Sequence, residues 1–429
     1  PYTTQGYYFV TEVSDGSEAP VPASSGVAAT GTVSTATAMV HHEIEREAAS
    51  ESGPLMVGED FRYKTTQTFN FDLPGRVPDT DVWFECQFIS LSTTSSAQLL
   101  FANAGTQMVA MSTDRISPTS SSAYVHASLA NTRHTYRPAD SNPEKTAIDV
   151  TYKSSGTFER ANLDYISVNY ERSLTMPSTG SMEFWSSARD LVLSGATADL
   201  VIWDVTDNRH TTRINCLIEG DKAHWQPSYS GMRRYVAWRP GATLPAPATR
   251  VAVANQNLHG DSGDDVDMVI FAPSALMGQA RRIADLHKRD SLKVRCVDVA
   301  PVYNEFASGS PDPGALRLYL KMLYDRGTAA GRPLRYALLL GRTTLDHREI
   351  MASTRDLGYT TLPVWVNRTA RHSMNDYDGY TTDDFFAMLG DGSGRDPGLD
   401  DLTIAVGRIP MMSENDGASI VDKMCQYVN

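Results

Sequence analysis

The chain has 429 residues, with 38 Lys and Arg against 51 Asp and Glu for a formal net charge of −13, and with 41% hydrophobic and 9% aromatic residues. That balance is globular, excludes disorder, collagen and coiled coil, and at about 150 residues per domain predicts roughly three domains. Duplex DNA and anionic membranes are bound by clustered Lys and Arg, whereas the basic residues here are scattered through an acidic chain, so no nucleic acid is expected as a partner.

The chain opens on Pro1, shows no charged n-region followed by an apolar h-region, and contains no run of 18 apolar residues. It reads as an internal or processed piece of something larger. Ala19 to Val40 is mostly Pro, Ala, Ser, Gly, Thr and Val without charge, so residues 1–50 are expected to be a linker or the remnant of an upstream region. Short β-rich runs then follow: Val82 to Ser90, Gln98 to Ala110, Ala123 to Ala130, Thr146 to Tyr152, Leu163 to Tyr170, Met182 to Phe184, Asp199 to Trp203 and Tyr235 to Trp238. Turn-formers such as Asn103-Ala104-Gly105 and Ser154-Ser155-Gly156 punctuate them. Many strands without helices between them predict a β-sandwich of jelly-roll type over 51–245.

Beyond the Pro/Ala-rich stretch at Gly241 to Pro247 the rhythm changes. Val266 to Ala272 is a near-continuous apolar strand, as a sheet covered on both faces requires. A helix capped by Ser274 should follow, with Leu276, Ala280, Ile283 and His287 on one face. Leu292 to Val299 reads as a second strand, Asp312-Pro313 opens another helix, and Tyr336 to Leu340 and Leu402 to Val406 read as further strands. Ser413 with Asp416 resembles a capping box for a last helix. This order predicts a parallel α/β unit over 250–429.

The chemical motifs are mostly negative. Gly260-Asp261-Ser262-Gly263 with His259 resembles a serine-peptidase nucleophile, but it sits in an acidic loop before a parallel-type strand and reads as a solvated turn. His42-Glu43-Ile44-Glu45-Arg46 lacks the second His of a zinc helix, and no dinucleotide, P-loop or nucleophile-elbow motif occurs. Cys86, Cys216, Cys296 and Cys425 are widely spaced and read as buried free thiols. Two acidic loops, one with Asp376, Asp378, Asp383 and Asp384 and one with Asp391, Asp396, Asp400 and Asp401, offer oxygen ligands of the kind a structural calcium takes, without EF-hand spacing. The first three of these are the calcium candidates, and otherwise the loops are a solvated acidic rim.

Several stretches of the second half resemble gingipain-like cysteine peptidases, and among them the sortases of the type IX secretion system. They are Asn257-Leu258-His259-Gly260 before Asp267-Met268-Val269-Ile270, Gln279 to Ala284, Val302 to Gly309, Pro311-Asp312-Pro313, Lys321 to Asp325, Tyr336 to Gly341, Asp383-Asp384-Phe385-Phe386 and Val406-Gly407-Arg408-Ile409-Pro410. The resemblance implies a caspase-like sheet, of which 250–429 would be the first part, and a His/Cys dyad on strands downstream of the Val-Gly-Arg strand. Both dyad residues are therefore expected beyond Asn429, and neither His372 nor Cys425 is assigned to the dyad. Two departures stand out: Thr403 replaces an acidic residue that often orients the imidazole, and Gly341-Arg342-Thr343-Thr344-Leu345-Asp346-His347 replaces a Gly-Asp-x-Ser-Tyr-Asp-Tyr pattern. Arg342, Asp346, Asp384 and Thr403 are the expected rim and supporting residues, on loops at the carboxyl ends of the strands.

The resemblance further implies thioester acyl transfer at the cell surface, associated with the outer membrane of a Gram-negative bacterium. It would need no cofactor. Its partners would be cargo proteins with a C-terminal signal domain, the outer-membrane barrel protein PorV with other attachment-complex subunits, and anionic lipopolysaccharide as the acceptor. The alternative is a non-catalytic surface module that binds protein or glycan.

Overall fold

The computed structural model describes residues 3–10, 32–49, 55–116, 127–157, 159–227, 230–247, 251–261, 265–351, 354–355, 361–366 and 380–428. Antiparallel strands occupy the first part and a parallel sheet with helices the second.

The antiparallel part is organised by one eight-stranded sheet, in the order Thr212–Arg213, Val201–Asp204, Arg233–Trp238, Ser181–Ser186, Thr35–Glu43, Ala161–Ser173, Val82–Ser90 and Ser128–Tyr136. Alternation explains its two faces: in Val82–Ser90 the inward Val82, Phe84, Cys86 and Phe88 are buried, while Trp83 and Glu85 face outward and stay half-exposed. Two smaller sheets cover the inner face side by side. A four-stranded sheet holding Thr66–Asp72, Lys145–Lys153, Ala97–Asn103 and Thr106–Thr113 packs on one half, where Phe84 meets Phe101 at 5.0 Å. A three-stranded sheet of Leu191–Ser194, Lys222–Trp225 and Leu217–Glu219 packs on the other, around Phe184, Trp225 and Tyr235. The expected sandwich is thus a double one, two cores under a single long sheet.

The outer face of that sheet carries tryptophan. Arg133 lies 5.5 Å over Trp83 and pairs with Glu85, Arg234 lies 5.6 Å over Trp185 and pairs with Glu183, and Trp203 meets Trp238 edge-on at 4.9 Å.

The linker expected over residues 1–50 is corrected at its end: Thr35–Glu43 is an interior strand of the long sheet, and Glu47–Ala48 pairs with Met56–Val57. Its inward residues, Ala36 and Ala38, are too small to give an apolar signal, yet small residues are what the crowded centre of the sheet accepts. Asn103-Ala104-Gly105 splits the single expected run 98–110 into a hairpin, because Ala104 and Gly105 both take positive φ, 48° and 77°.

The parallel sheet runs in the order Val294–Asp298, Met268–Ala272, Tyr336–Leu340, Ala405–Ile409. Helices α1 (Met277–Lys288) and α4 (Glu414–Val428) cover one face, and α2 (Val299–Phe306) and α3 (Pro313–Ala329) cover the other. Asp312 caps α3 by accepting from the Gly314 N–H at 2.6 Å. At α4 half of the expected box forms, with Asp416 N–H donating to Ser413 Oγ, while the Asp416 carboxylate reaches one residue past Ser413 and accepts from Met412 N–H.

Three boundaries differ from expectation. The second strand stops at Asp298 because that carboxylate accepts from Ala300 N–H and starts α2. Ser274 does not cap α1 but begins a short 3-10 turn and donates to Asp298. The last strand runs over Ala405–Ile409 rather than Leu402–Val406, and Leu402 stays exposed because Thr403 is tied to the neighbouring turn. No helix among the described residues is long and apolar enough to cross a membrane.

Candidate active site

The Met268–Ala272 strand has the second strand on one side and the third on the other, so its carboxyl end, beside Leu340, is a topological switch point, the place where open α/β sheets form their ligand crevice. Its wall is built from the segments after Ala272, Leu340 and Ile409 and from the start of α2 after Asp298.

Arg408 organises the wall. Two nitrogens of its guanidinium donate to the two carboxylate oxygens of Asp383 at 2.8 and 2.7 Å, and it also reaches the carbonyls of Gly341 at 3.3 Å and Pro363 at 3.1 Å. Its side chain is only 10% exposed. A nearly buried guanidinium is tolerable only when its fork is filled, and here one residue of the last strand gathers three loops. The loop after Leu340 is further held by Leu362 N–H donating to the Arg342 carbonyl at 2.9 Å.

Asp346 is 1% exposed and accepts from Met351 N–H at 2.7 Å and from the Thr354 hydroxyl. Burial works against its charge, but these donors and Arg348 hold its carboxyl below the ordinary range. Next to it, His347 is pushed down to about 4, first by burial and then by the charge of Arg408, with Asp346 opposing. It is therefore neutral at pH 7. The Tyr303 hydroxyl, 9% exposed as a residue, has no hydrogen-bond partner among the described residues. Burial raises its pKa most, Arg408 opposes this, and Asp298 and Asp312 add to the rise.

The four expected rim residues divide. Asp346 and Arg342 shape the loop after the third strand, the first by its carboxylate and the second by its backbone. Thr403 is a strut: its hydroxyl donates to the Ala387 carbonyl at 2.7 Å and accepts from Leu389 N–H at 2.7 Å. Asp384 is exposed at the start of a 3-10 turn, where its N–H donates to Thr382 Oγ1 at 3.0 Å. Of the calcium candidates, Asp383 turns to Arg408, while Asp376 and Asp378, like His372, lie outside the described residues. In the second acidic loop Asp391 pairs with Lys321, and Asp396 and Asp400 accept from Gly398 and Gly394 N–H. Among the described residues no three His, Cys, Asp or Glu side chains are grouped to hold a metal.

The four thiols are free. Cys86 is in the sandwich core, Cys216 flanks the second core, and Cys296 and Cys425 pack near α1. Burial is the first cause raising the pKa of Cys86, Cys216 and Cys296, the opposite of what a nucleophile needs. Gly260 and Asp261 are described, with Asp261 accepting from the Tyr319 hydroxyl at 2.7 Å and pairing with Arg295, whereas Ser262 and Gly263 are not. Sequence reasoning missed Arg408 as the centre of the wall, although an arginine inside an apolar strand was itself a signal. Tyr303 and His347 gave none, since their burial depends on loops distant in the chain.

The family model for peptidase family C25 matches residues 261–429. No curated protein matches the chain. Among solved structures, the chain is similar to dimeric latent PorU from Porphyromonas gingivalis, with a TM-score of 0.81 and 23% identity over 95% of this chain and 39% of that one. A CBM36-1 domain of a multidomain xylanase from the hindgut metagenome of Trinervitermes trinervoides matches 31% of this chain and 95% of its own at 11% identity, but its TM-score of 0.20 gives it no weight. The chain thus spans well under half the length of the PorU chain, whose fold it shares: a double sandwich followed by a parallel α/β unit that carries the peptidase family C25 pattern.

Proposed function

We propose that this chain is the front portion of a cell-surface cysteine peptidase and sortase. The match of residues 261–429 to peptidase family C25 carries the reading. The reacting thiol and imidazole are assigned to polypeptide downstream of Asn429, on strands added beyond Ala405–Ile409, which is the edge of the parallel sheet among the described residues. The raised pKa values of three of the four thiols support that assignment.

The chemistry is nucleophilic acyl transfer. The thiolate attacks the peptide carbonyl, the imidazolium protonates the leaving amine, and a thioester remains. Water would release the acid, while an amine on lipopolysaccharide would accept the cargo and complete a sortase cycle. Cargo with a C-terminal signal domain, PorV and the outer-membrane location belong to the same proposal. In it the chain's own residues shape the site: Arg408 and Asp383 fix the loops, and neutral His347 adds no positive charge beside Arg408.

Assay of residues 1–429 and of the chain extended by the downstream coding sequence tests this. The extended form should hydrolyse peptides and lose activity to iodoacetamide, and the 1–429 form should be silent. Thiol-dependent hydrolysis by residues 1–429 alone would place the dyad inside the span and overturn the proposal. The alternative, a non-catalytic surface module for protein or glycan, is favoured by Thr403, whose hydroxyl is fully engaged in a structural strut. A downstream sequence without a His-ending and a Cys-ending strand would decide for it.

A further inference from the structure

We infer that Glu45, a residue of the sandwich, is a positioning residue for the crevice of the α/β unit, acting through Arg348. The Arg348 guanidinium donates both to Glu45 Oε1, at 2.6 Å, and to Oε2, in a bidentate pair between residues 303 apart in the chain. The side chains are 17% and 26% exposed, so water screens the pair only in part.

Each end of the pair is set by its surroundings. Glu45 lies on the connection after Thr35–Glu43, where Arg46 N–H donates to the Val57 carbonyl at 2.9 Å and Gly58 N–H to the Leu163 carbonyl at 2.8 Å. Gly58 passes so close to Ile44 that a methyl group at its Cα would collide with the Ile44 carbonyl oxygen. Backbone on both sides is therefore locked, and Glu45 is presented from a rigid base. Arg348, by contrast, stands at the tip of the loop after the third strand, between the pinned Asp346 and Glu349, whose φ of 54° is in the left-handed region. A non-glycine residue there is strained and persists only when neighbouring contacts over-determine it. The base of the same loop is held by Arg408 and Leu362, and its tip by bonds to Asp346 from Glu349 N–H, Met351 N–H and the Thr354 hydroxyl, so the sandwich adds the contact that ties this tip to a base outside the loop.

The sandwich is then part of the site's framework rather than an appendage. This inference takes its functional meaning from the peptidase reading, but its geometry is tested without catalysis. Hydrogen exchange of the full chain is measured for Glu45→Gln, Arg348→Gln and the double variant. Each single change should speed exchange at 342–351 by about tenfold, the double variant should be no faster than either single one, and the Met268–Ala272 strand should be unchanged. Unchanged exchange at 342–351, additive effects, or acceleration spread through the parallel sheet would overturn it. In peptidase-active protein, Glu45→Gln should lower kcat/KM with the sandwich's exchange intact. Non-additive exchange in a protein that never hydrolyses peptides would sink the peptidase reading and leave the pair standing.

Discussion

The sandwich and the α/β unit place their buried charge differently. In the sandwich such groups support strands: Gln87 donates to Asp164 at 2.6 Å between neighbouring strands, and Asp204 pairs with Arg233 across the sheet. In the α/β unit the strands are apolar along most of their length, and the buried Asp346 and the partly buried Asp383, His347 and Arg408 collect at the carboxyl ends. Burying a charge costs several kcal/mol unless it is satisfied, so where a fold concentrates such groups indicates where geometry must be fixed. Here that place is the crevice, and the sandwich adds one more contact to it through Glu45.

The comparison is broken first through the cores. Phe101→Ala in the sandwich and Phe271→Ala in the parallel sheet should each cost about 3–5 kcal/mol in urea denaturation followed by circular dichroism, each shifting the transition of its own unit. If either change moves both transitions equally, the two regions are one cooperative body and the contrast fails. A smaller effect sharpens it. Thr403→Val removes the strut hydroxyl and takes the partner from the Leu389 N–H, while the Ala387 carbonyl keeps the Thr403 N–H at 2.9 Å, costing about 1–2 kcal/mol, with faster exchange at Leu389 and none in the sandwich.

The smallest effect vanishes near neutrality. Each region holds one carboxylate clamp at about 2: burial opposes the charge of Glu159, but Ser92 and Thr94 outweigh it, and burial likewise opposes that of Glu305, which Leu258 N–H, Gln256 and His259 outweigh. A depressed carboxyl contributes stability that is fully present above its unfolded value of about 4.5 and is lost as pH falls through about 2. Denaturation midpoints of the sandwich should therefore be flat above about pH 5 and fall below it, while those of the α/β unit should begin to fall from about pH 6.5, where the unfolded imidazole of His347 gains a proton that the folded one does not take until about 4. Glu159→Gln and Glu305→Gln should each flatten the acid limb of one region only.

Much of the fold was legible because two periods dominate it. Alternation in Val82–Ser90 and the apolar run Met268–Ala272 announce a half-buried and a doubly covered strand directly. Thr35–Glu43 escaped because alanines in a crowded sheet centre carry no apolar signal, and α2 escaped because Val299 continues the pattern of the strand before it, with only the Asp298 cap to end it. At the site, the loop carrying Arg342 and Asp346 was legible from its place after a strand. That Arg408 and Glu45 hold the loop was not, since each meets it through contacts far removed in sequence.

The distribution of indole rings has a practical outcome. Of six tryptophans, Trp83, Trp185, Trp203, Trp225 and Trp238 are in the sandwich, and Trp365 alone is in the other unit, against Phe385. Intrinsic fluorescence of this molecule therefore monitors mostly its first part, and Trp365, two residues from Pro363 and paired with Thr382 beside Asp383, is the one native indole that reports on the crevice wall.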